Sequence, residues 1–530
     1  MADNNGVTRQ DIQPTFTISK EGFQTMKTNI KKELSTKHSE QLDEVRNFQK
    51  NDAFNMLDMI DALQKLCISH HFQDEIGSIL KTLNTKISNA NAYKHGQSLY
   101  EVSLNFRILR QEGYYVPADV FANFKQKDGR FMEEIAQDVQ GLIALHEASQ
   151  LCIEGERILE EAADFSSHAL NEMIPYLDED EGFSVKNTLE HSYQRTSSTF
   201  MIEKFIKYYA GSTMSEVAKL ELAKVKVSHR EEVDQISRWW KDLGLAKELK
   251  LARNQPLNWY LWPMAGLTGP SLSEERIELT KPIALIFIID DIFDVYGTLD
   301  ELTLATEAVK RWDINALEKL PYHIRICIQA LYDVTNEISD KVYKNYGFDP
   351  KEYLKKAWTN LCEAFLVEAK WFASGQLPKA DDYLKNGIVS SGAEVVTVHL
   401  FFLLGGATSK ESASIIYDNK GITFCVAKIL RLWDDLGSAK DENQDGHDGS
   451  YVSYYMKEND GCSIENARER VMEMISNTWK QLNKECLSPN PFSATFTKAC
   501  LNLARMVPIM YNYDENHSLP LLMDYIKSMF

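Results

Sequence analysis

Apolar residues recur along most of this chain at the three- and four-residue spacing of packed helices, and strand-like alternation is rare. Leu57, Ile60, Leu63 and Leu66 follow each other in steps of three, which places them on one helix face. The 25 glycines and 14 prolines are few for 530 residues, as in mainly helical chains. The pattern predicts an all-α protein.

The length of the chain and its tryptophans indicate more than one domain. A chain of 530 residues exceeds the size of one hydrophobic core. All nine tryptophans lie at or after Trp239, and the polar stretch 210–213 is a plausible boundary. We expect a poorly ordered arm at 1–30, an N-terminal helical domain at 31–212 and a C-terminal domain at 213–530.

An unbroken apolar run covers residues 283–289. A buried strand and a buried helix both fit such a run, but its length and lack of glycine favour a helix. The helix is predicted to begin through Pro282 and to end near Gly297.

Three aspartates follow the run directly: Asp290, Asp291 and Asp294. On a helix, Asp290 and Asp294 project from one face about one turn apart. They could be a solvated helix end or an N-cap. Carboxylates at the end of an apolar helix are costly unless they are neutralised, however, and a hard divalent cation such as Mg²⁺ takes oxygen ligands of this kind.

A second row of oxygen ligands lies downstream. Asp434, Ser438 and Glu442 are each four residues apart, which forms a stripe along a helix, and Arg431 is one turn before Asp434. A mixed-charge helix face is usually only solvated. Two such stripes in one chain are more telling, because facing stripes could hold more than one Mg²⁺ ion with a diphosphate between them.

Asp290-Asp291-Ile-Phe-Asp294 resembles the aspartate-rich motif of class I terpene synthases, and residues 434–442 resemble their second metal motif. The resemblance extends over nearly the whole chain. It includes segments 60–66, 71–76, 106–110, 237–241, 295–299, 311–313, 368–371 and 390–392. It implies the two-domain plant terpene synthase architecture: an N-terminal α-barrel-like domain without chemistry and a C-terminal class I α-bundle.

The resemblance also implies roles for individual residues. The metal ligands would be Asp290, Asp294, Asp434, Ser438 and Glu442, holding three Mg²⁺ ions, with Mn²⁺ as an alternative. Asp291 would orient water or an arginine. The residues expected to contact a geranyl or farnesyl diphosphate, or to act on it, are Arg253, Asp290, Asp294, Arg431, Asp434, Trp259, Phe287 and Tyr511. The family usually has Arg-x-Arg at Arg253-Asn-Gln255, so one guanidinium is missing here.

The expected product is an acyclic tertiary alcohol. The sequence has no Arg-Arg pair and no early tryptophan, and segments 253–256, 258–262 and 445–449 resemble the flowering-plant subfamily that makes such alcohols. We therefore expect linalool from geranyl diphosphate and (E)-nerolidol from farnesyl diphosphate. The alternatives are an acyclic hydrocarbon (myrcene or ocimene) or, less favoured, an inactive all-α scaffold.

Charge and cysteine content exclude several other classes. The net charge of −19 argues against a nucleic-acid partner. The eight cysteines form no Cys-x2-Cys pair, so neither a zinc site nor a disulfide framework is expected. We expect no apolar run to be long enough to span a bilayer. The first residues lack transit-peptide composition, which predicts a cytoplasmic protein, or a plastid protein if the chain is a truncated or mature form. We also expect a monomer.

Overall fold

The described part of the chain is built from α-helices, 3-10 turns and the loops between them. The computed structural model describes residues 53–88, 97–250, 252–438, 449–487, 489–514 and 518–530. Within these ranges the only β contact is an isolated bridge between Lys125 and Phe131. The all-α prediction is confirmed.

The described part of the first half contains seven α-helices. In order, α1 to α7 span Ala53–Lys65, Gln73–Ser88, Leu99–Gln111, Val139–Ser149, Arg157–Met173, Glu179–Glu190 and Ser198–Tyr208. Helix α3 packs against α1 and α4, and α4 also packs against α5. The four leucine and isoleucine positions predicted for one helix face are all buried, three of them in α1 and Leu66 directly after its end. A short 3-10 turn, Ser69–His71, connects α1 to α2.

Helix α8, Thr213–Leu243, joins the two halves. Ser212 caps its first turn, accepting a hydrogen bond from the Ser215 amide at 3.1 Å. It packs against α7 and against four helices of the second half, Leu245–Glu248, Pro256–Gly266, Ser273–Asp291 and Pro520–Met529. The main hydrophobic core contains residues of both halves. The division at residues 212 and 213 stays a prediction, and the arm at 1–30 lies outside the described residues.

The second half is a helical bundle. In order, α9 to α22 span Leu245–Glu248, Pro256–Gly266, Ser273–Asp291, Leu299–Arg311, Tyr322–Tyr346, Lys351–Ser374, Ala380–Ser390, Ala393–Leu403, Lys410–Asp418, Gly421–Ser438, Tyr451–Glu458, Ile464–Glu485, Ala494–Tyr511 and Pro520–Met529. Helix α11 packs against α8, α10, α13 and α16. Helix α18 packs against α15, α16, α20 and α21, so α11 and α18 share α16 as a neighbour.

The helix that carries the first aspartate motif begins earlier than predicted. Helix α11 starts at Ser273, and Pro282 lies inside it, so the predicted entry through Pro282 is wrong. Proline interrupts the backbone hydrogen-bond ladder, but burial of the surrounding apolar side chains keeps the helix intact. The predicted end is confirmed. A π-helical turn, Ile292–Tyr296, closes on a 3.0 Å hydrogen bond from the Gly297 amide to the Ile292 carbonyl.

One stretch corrects the expectation that no apolar segment could span a bilayer. Residues Ala380–Leu403 are long and apolar enough by length and composition. This stretch comprises α15 and α16, and 72% of its most apolar window is buried inside the protein. A buried core segment passes the same test, so the stretch is weak evidence for membrane insertion.

Gly392, which separates α15 from α16, should be among the least replaceable glycines. Its φ of +73° disfavours other residues, and a Cβ there would lie 2.7 Å from Cγ2 of Ile286 on α11. Gly129 has a φ of +89° with open space around it. We expect Gly129→Ala to cost about 1–2 kcal/mol through the backbone alone. Gly392→Ala should cost roughly 1–3 kcal/mol more through overpacking.

Thermal and urea unfolding of the two variants measure this difference. Equal losses of stability would mean that the contact between α16 and α11 has room for a methyl group.

Candidate active site

The first aspartate motif holds an arginine from a distant part of the chain. Arg253, just before α10, forms an ion pair with Asp290. Its Nε lies 2.8 Å from Oδ1 of Asp291, and its backbone amide donates to Oδ2 of Asp291 at 2.7 Å. Asp291 therefore fixes Arg253 through both side chain and backbone.

Phe287, one turn before Asp290, supports the same arginine. Its carbonyl accepts a hydrogen bond from Arg253 Nη2 at 3.0 Å, and its ring centroid lies 4.8 Å from Arg253 Cζ, within cation–π range. Burial would lower the pKa of Arg253, but the charges of Asp290 and Asp291 outweigh it and raise the pKa. Phe287 thus contacts the arginine, as a residue of the predicted site should.

The second motif repeats this arrangement within one helix. On α18, Arg431 pairs with Asp434, and its Nε donates to Asp435 at 2.9 Å. Asp435 also accepts hydrogen bonds from the Tyr383 hydroxyl at 2.9 Å and the Tyr451 amide at 3.1 Å. Burial raises the pKa of Asp435 to about 6, although Arg431 opposes the shift.

In both motifs the first aspartate is the more accessible one. The side chain of Asp290 is 31% exposed against 11% for Asp291, and that of Asp434 is 34% exposed against 0% for Asp435. The first carboxylate can therefore face a cation while the second keeps the arginine in position. The orienting role of Asp291 stays a prediction.

Glu368 on α14 connects the two motifs. Its carboxylate interacts electrostatically with Asp290 and Arg431. It also accepts hydrogen bonds from Ser390 at 2.7 Å and Asn386 at 2.9 Å. Burial raises its pKa to about 7. From the sequence, this segment was only a family-like stretch, and Glu368 was not predicted as a site residue. The available signal was a carboxylate directly after the apolar stretch Ala364-Phe-Leu-Val367.

Tyr511, the last residue of α21, lies between the two motifs as well. Its hydroxyl interacts electrostatically with Asp434 and Arg431 of the second motif and with Arg253 of the first. Burial raises its pKa, and its ring centroid is 6.3 Å from that of Trp262. Tyr511 and Glu368 together show that residues 253, 290 and 431 to 435 face one common region.

The remaining predicted residues are placed less directly. Asp294 lies in the π-helical turn, and Ser438 is the last residue of α18, one turn after Asp434. Glu442 lies outside the described residues. Trp259 is almost fully buried, with its ring 4.8 Å from that of Trp240, so core packing accounts for it. Its part in substrate binding stays a prediction.

The chemistry of these side chains fits a hard divalent cation. Asp290, Asp434 and Glu368 bring carboxylate oxygens to one region, and such oxygens are the ligands that Mg²⁺ takes. The pKa of Glu368 is raised mainly by burial, and the charge of Asp290 adds to the shift. A divalent cation would favour the ionised form of this carboxylate.

Comparison with known proteins identifies the family. Residues 6–192 match the model of the terpene synthase N-terminal domain, and residues 241–481 match that of the terpene synthase metal binding domain. The chain therefore belongs to the terpene synthase family. It is a class I enzyme of that family, a carbon–oxygen lyase acting on phosphates.

Three relatives show the range of products among similar chains. An (E)-nerolidol synthase from Cannabis sativa is 48% identical, covering 92% of this chain and 91% of its own. An S-(+)-linalool synthase from Arabidopsis thaliana is 45% identical over 89% of this chain and 84% of its own. A tricyclene synthase from Antirrhinum majus is also 45% identical, over 91% and 84%.

A solved structure supports the architecture and the use of metal. Isoprene synthase from grey poplar, in complex with three Mg²⁺ ions and dimethylallyl-S-thiolodiphosphate, superposes with a TM-score of 0.85 at 32% identity. The match covers 96% of this chain and 98% of that one. The two-domain terpene synthase fold predicted from the sequence is confirmed.

The two aspartates of the first motif should respond differently to neutral substitution. Asp290→Asn should raise the Mg²⁺ concentration needed for half-maximal activity, because it removes a proposed ligand. Asp291→Asn should lower kcat by roughly 10–100-fold, because Arg253 loses its anchor. The Mg²⁺ requirement of Asp291→Asn should stay near that of the wild type.

Initial rates on a prenyl diphosphate at a series of Mg²⁺ concentrations separate the two effects. An equal shift in Mg²⁺ requirement for both variants would make Asp291 a ligand rather than an orienting residue.

Proposed function

We propose that this terpene synthase ionises geranyl or farnesyl diphosphate with Mg²⁺ and adds water to the resulting cation, giving linalool or (E)-nerolidol. The observation that carries the proposal is the meeting of two arginine-bound aspartate pairs around Glu368 and Tyr511. A diphosphate with its cations matches this mixture of acidic and basic groups. An unbranched apolar substrate without phosphate does not match these acidic and basic groups.

The proposed ligands for three Mg²⁺ ions are Asp290, Asp294, Asp434, Ser438 and Glu442. When bound, such ions neutralise the charge that develops on a departing diphosphate. The protein contributes the positions of its own groups. Arg253 and Arg431 are held by Asp291 and Asp435, so each guanidinium is already oriented beside the aspartate that would face the metal.

The arginines would donate hydrogen bonds to the leaving diphosphate and keep it away from the allylic cation. The segment 253–255 has one arginine, because Gln255 stands at the position where the family usually has a second one. The side-chain oxygen of Gln255 accepts a hydrogen bond from Asn258 at 3.0 Å. This hydrogen bond ties the Gln255 side chain to the first turn of α10. The Phe287 ring beside Arg253 and the Tyr511 ring offer faces that attract a cation without reacting with it.

Water capture is proposed on two supports. The nerolidol and linalool synthases among the relatives carry names that match the expected alcohols. The sequence also lacks an Arg-Arg pair, which the resemblance associates with cyclising monoterpene synthases. The tricyclene synthase at the same identity as the linalool synthase means that overall identity does not decide the product.

Product analysis in labelled water tests the reaction type. Purified protein with Mg²⁺ and either diphosphate should release linalool or (E)-nerolidol, and in H₂¹⁸O the alcohol should gain one ¹⁸O atom. Asp290→Ala should abolish the product. Asp300→Ala, which removes an exposed acid in the first turn of α12, should leave it unchanged.

Other products would each change one part of the proposed reaction. Myrcene or ocimene would replace water capture by deprotonation and keep the metal site. Cyclic hydrocarbons alone would overturn the acyclic assignment. Preference for farnesyl diphosphate would agree with the cytoplasmic placement that we propose, which a fluorescent fusion of the full-length protein checks independently.

A further inference from the structure

A cluster of two histidines and a glutamate lies far along the chain from the aspartate motifs. His70 and His71 belong to the 3-10 turn Ser69–His71, and Glu221 belongs to α8. One ligand atom from each residue lies within 4.8 Å of the others. The two imidazole rings are 4.0 Å apart between centroids, so both side chains point to the same side of the turn.

We propose that His70, His71 and Glu221 form a binding site for a borderline transition-metal ion such as Zn²⁺, distinct from the magnesium site. Two imidazole nitrogens and one carboxylate are a known donor set for zinc, with water as a fourth ligand. Ligand bonds of about 2.0–2.1 Å require tetrahedral donors to be roughly 3.4 Å apart. Side-chain rotations that move the donor atoms by about 1 Å would therefore bring the three residues into bonding distance of an ion.

His70 supplies the observation that points to a ligand. Its Nε2 is buried and has no hydrogen-bond partner, whereas the ring makes a hydrogen bond to the backbone of Cys67. That bond leaves Nε2 as the nitrogen with a lone pair, in the way that metal-binding histidines are usually oriented by a backbone carbonyl. Burial lowers the pKa of His70, which keeps the ring neutral and able to bind a cation.

Glu221 supplies the negative charge. Burial would raise its pKa, but hydrogen bonds from His71 and Lys224 outweigh this and lower it to about 2. His71 Nε2 is 3.5 Å from Glu221 Oε1, and Lys224 Nζ is 2.8 Å from the same oxygen. Lys224 is a competitor for this carboxylate, but its side chain is 37% exposed and can turn to solvent when a metal binds.

The site would join the two halves of the protein. The histidine turn lies between α1 and α2, whereas Glu221 lies on the helix that leads into the catalytic bundle. An ion bound only by the folded state would therefore stabilise this junction. The inference does not depend on the proposed product or substrate.

Cobalt binding tests the site directly, because Co²⁺ takes the same ligands as Zn²⁺ and absorbs visible light. The wild-type protein, reduced and in excess Mg²⁺, should bind one Co²⁺ with a spectrum of nitrogen and oxygen ligation, and Zn²⁺ should displace it. His70→Gln and Glu221→Gln should each weaken binding by at least about tenfold. Zn²⁺ should raise the melting temperature of the wild type and not that of His70→Gln.

His168→Gln is the matched control, because His168 forms an exposed pair with Glu172 on α5 at 3.3 Å. It should bind Co²⁺ like the wild type. His70→Gln should lower the metal-free melting temperature only slightly, because Nε2 of His70 has no protein partner and only the hydrogen bond to the Cys67 backbone is affected. Binding that Mg²⁺ displaces, a thiolate charge-transfer band, or equal affinity in all variants would overturn the proposal and leave His71 and Glu221 as an ion pair only.

Discussion

The cost of burying carboxylates is the constraint on which the active site depends. An apolar helix delivers Asp290 and Asp291 into the bundle, and α18 delivers Asp434 and Asp435 toward the same region. Such charges are costly in an apolar interior unless they are paired. Each aspartate pair is neutralised in part by an arginine, whereas burial raises the pKa of Glu368 to about 7, with Arg431 opposing the shift and Asp290 adding to it. We propose that divalent cations and a diphosphate complete the balance.

The first half of the chain is held against this bundle by buried hydrogen bonds. Arg505 of α21 donates to the Gln194 carbonyl at 2.8 Å, and the Gln194 side chain donates to Asn483 of α20 at 3.0 Å. Asn483 in turn donates to the carbonyls of Gln150 and Cys152, each at 2.9 Å. These buried polar contacts fix the N-terminal helices against two helices that pack on α18. Through them, the half without aspartate motifs supports the position of the second motif.

The sequence was most informative where a pattern is local. The apolar period gave the all-α fold, and the spacing after residue 289 gave the first aspartate motif. The helix start predicted at Pro282 was wrong, because burial of the neighbouring side chains outweighs the lost backbone hydrogen bond. Glu368 could not be recognised because one acid on a helix usually lies at the surface. The His70, His71 and Glu221 cluster could not be predicted either, because about 150 residues separate its parts and only tertiary packing joins them.

The most direct test of the account is whether the two aspartate motifs act on one bound diphosphate. Calorimetry would measure binding of an unreactive thiolodiphosphate analogue of farnesyl diphosphate, with Mg²⁺, to the wild type, Asp290→Asn, Asp434→Asn and the double variant. If both motifs share the same ions and diphosphate, the losses should be non-additive by about 1 kcal/mol or more. Additive losses would contradict the account, because they would place the motifs at independent sites.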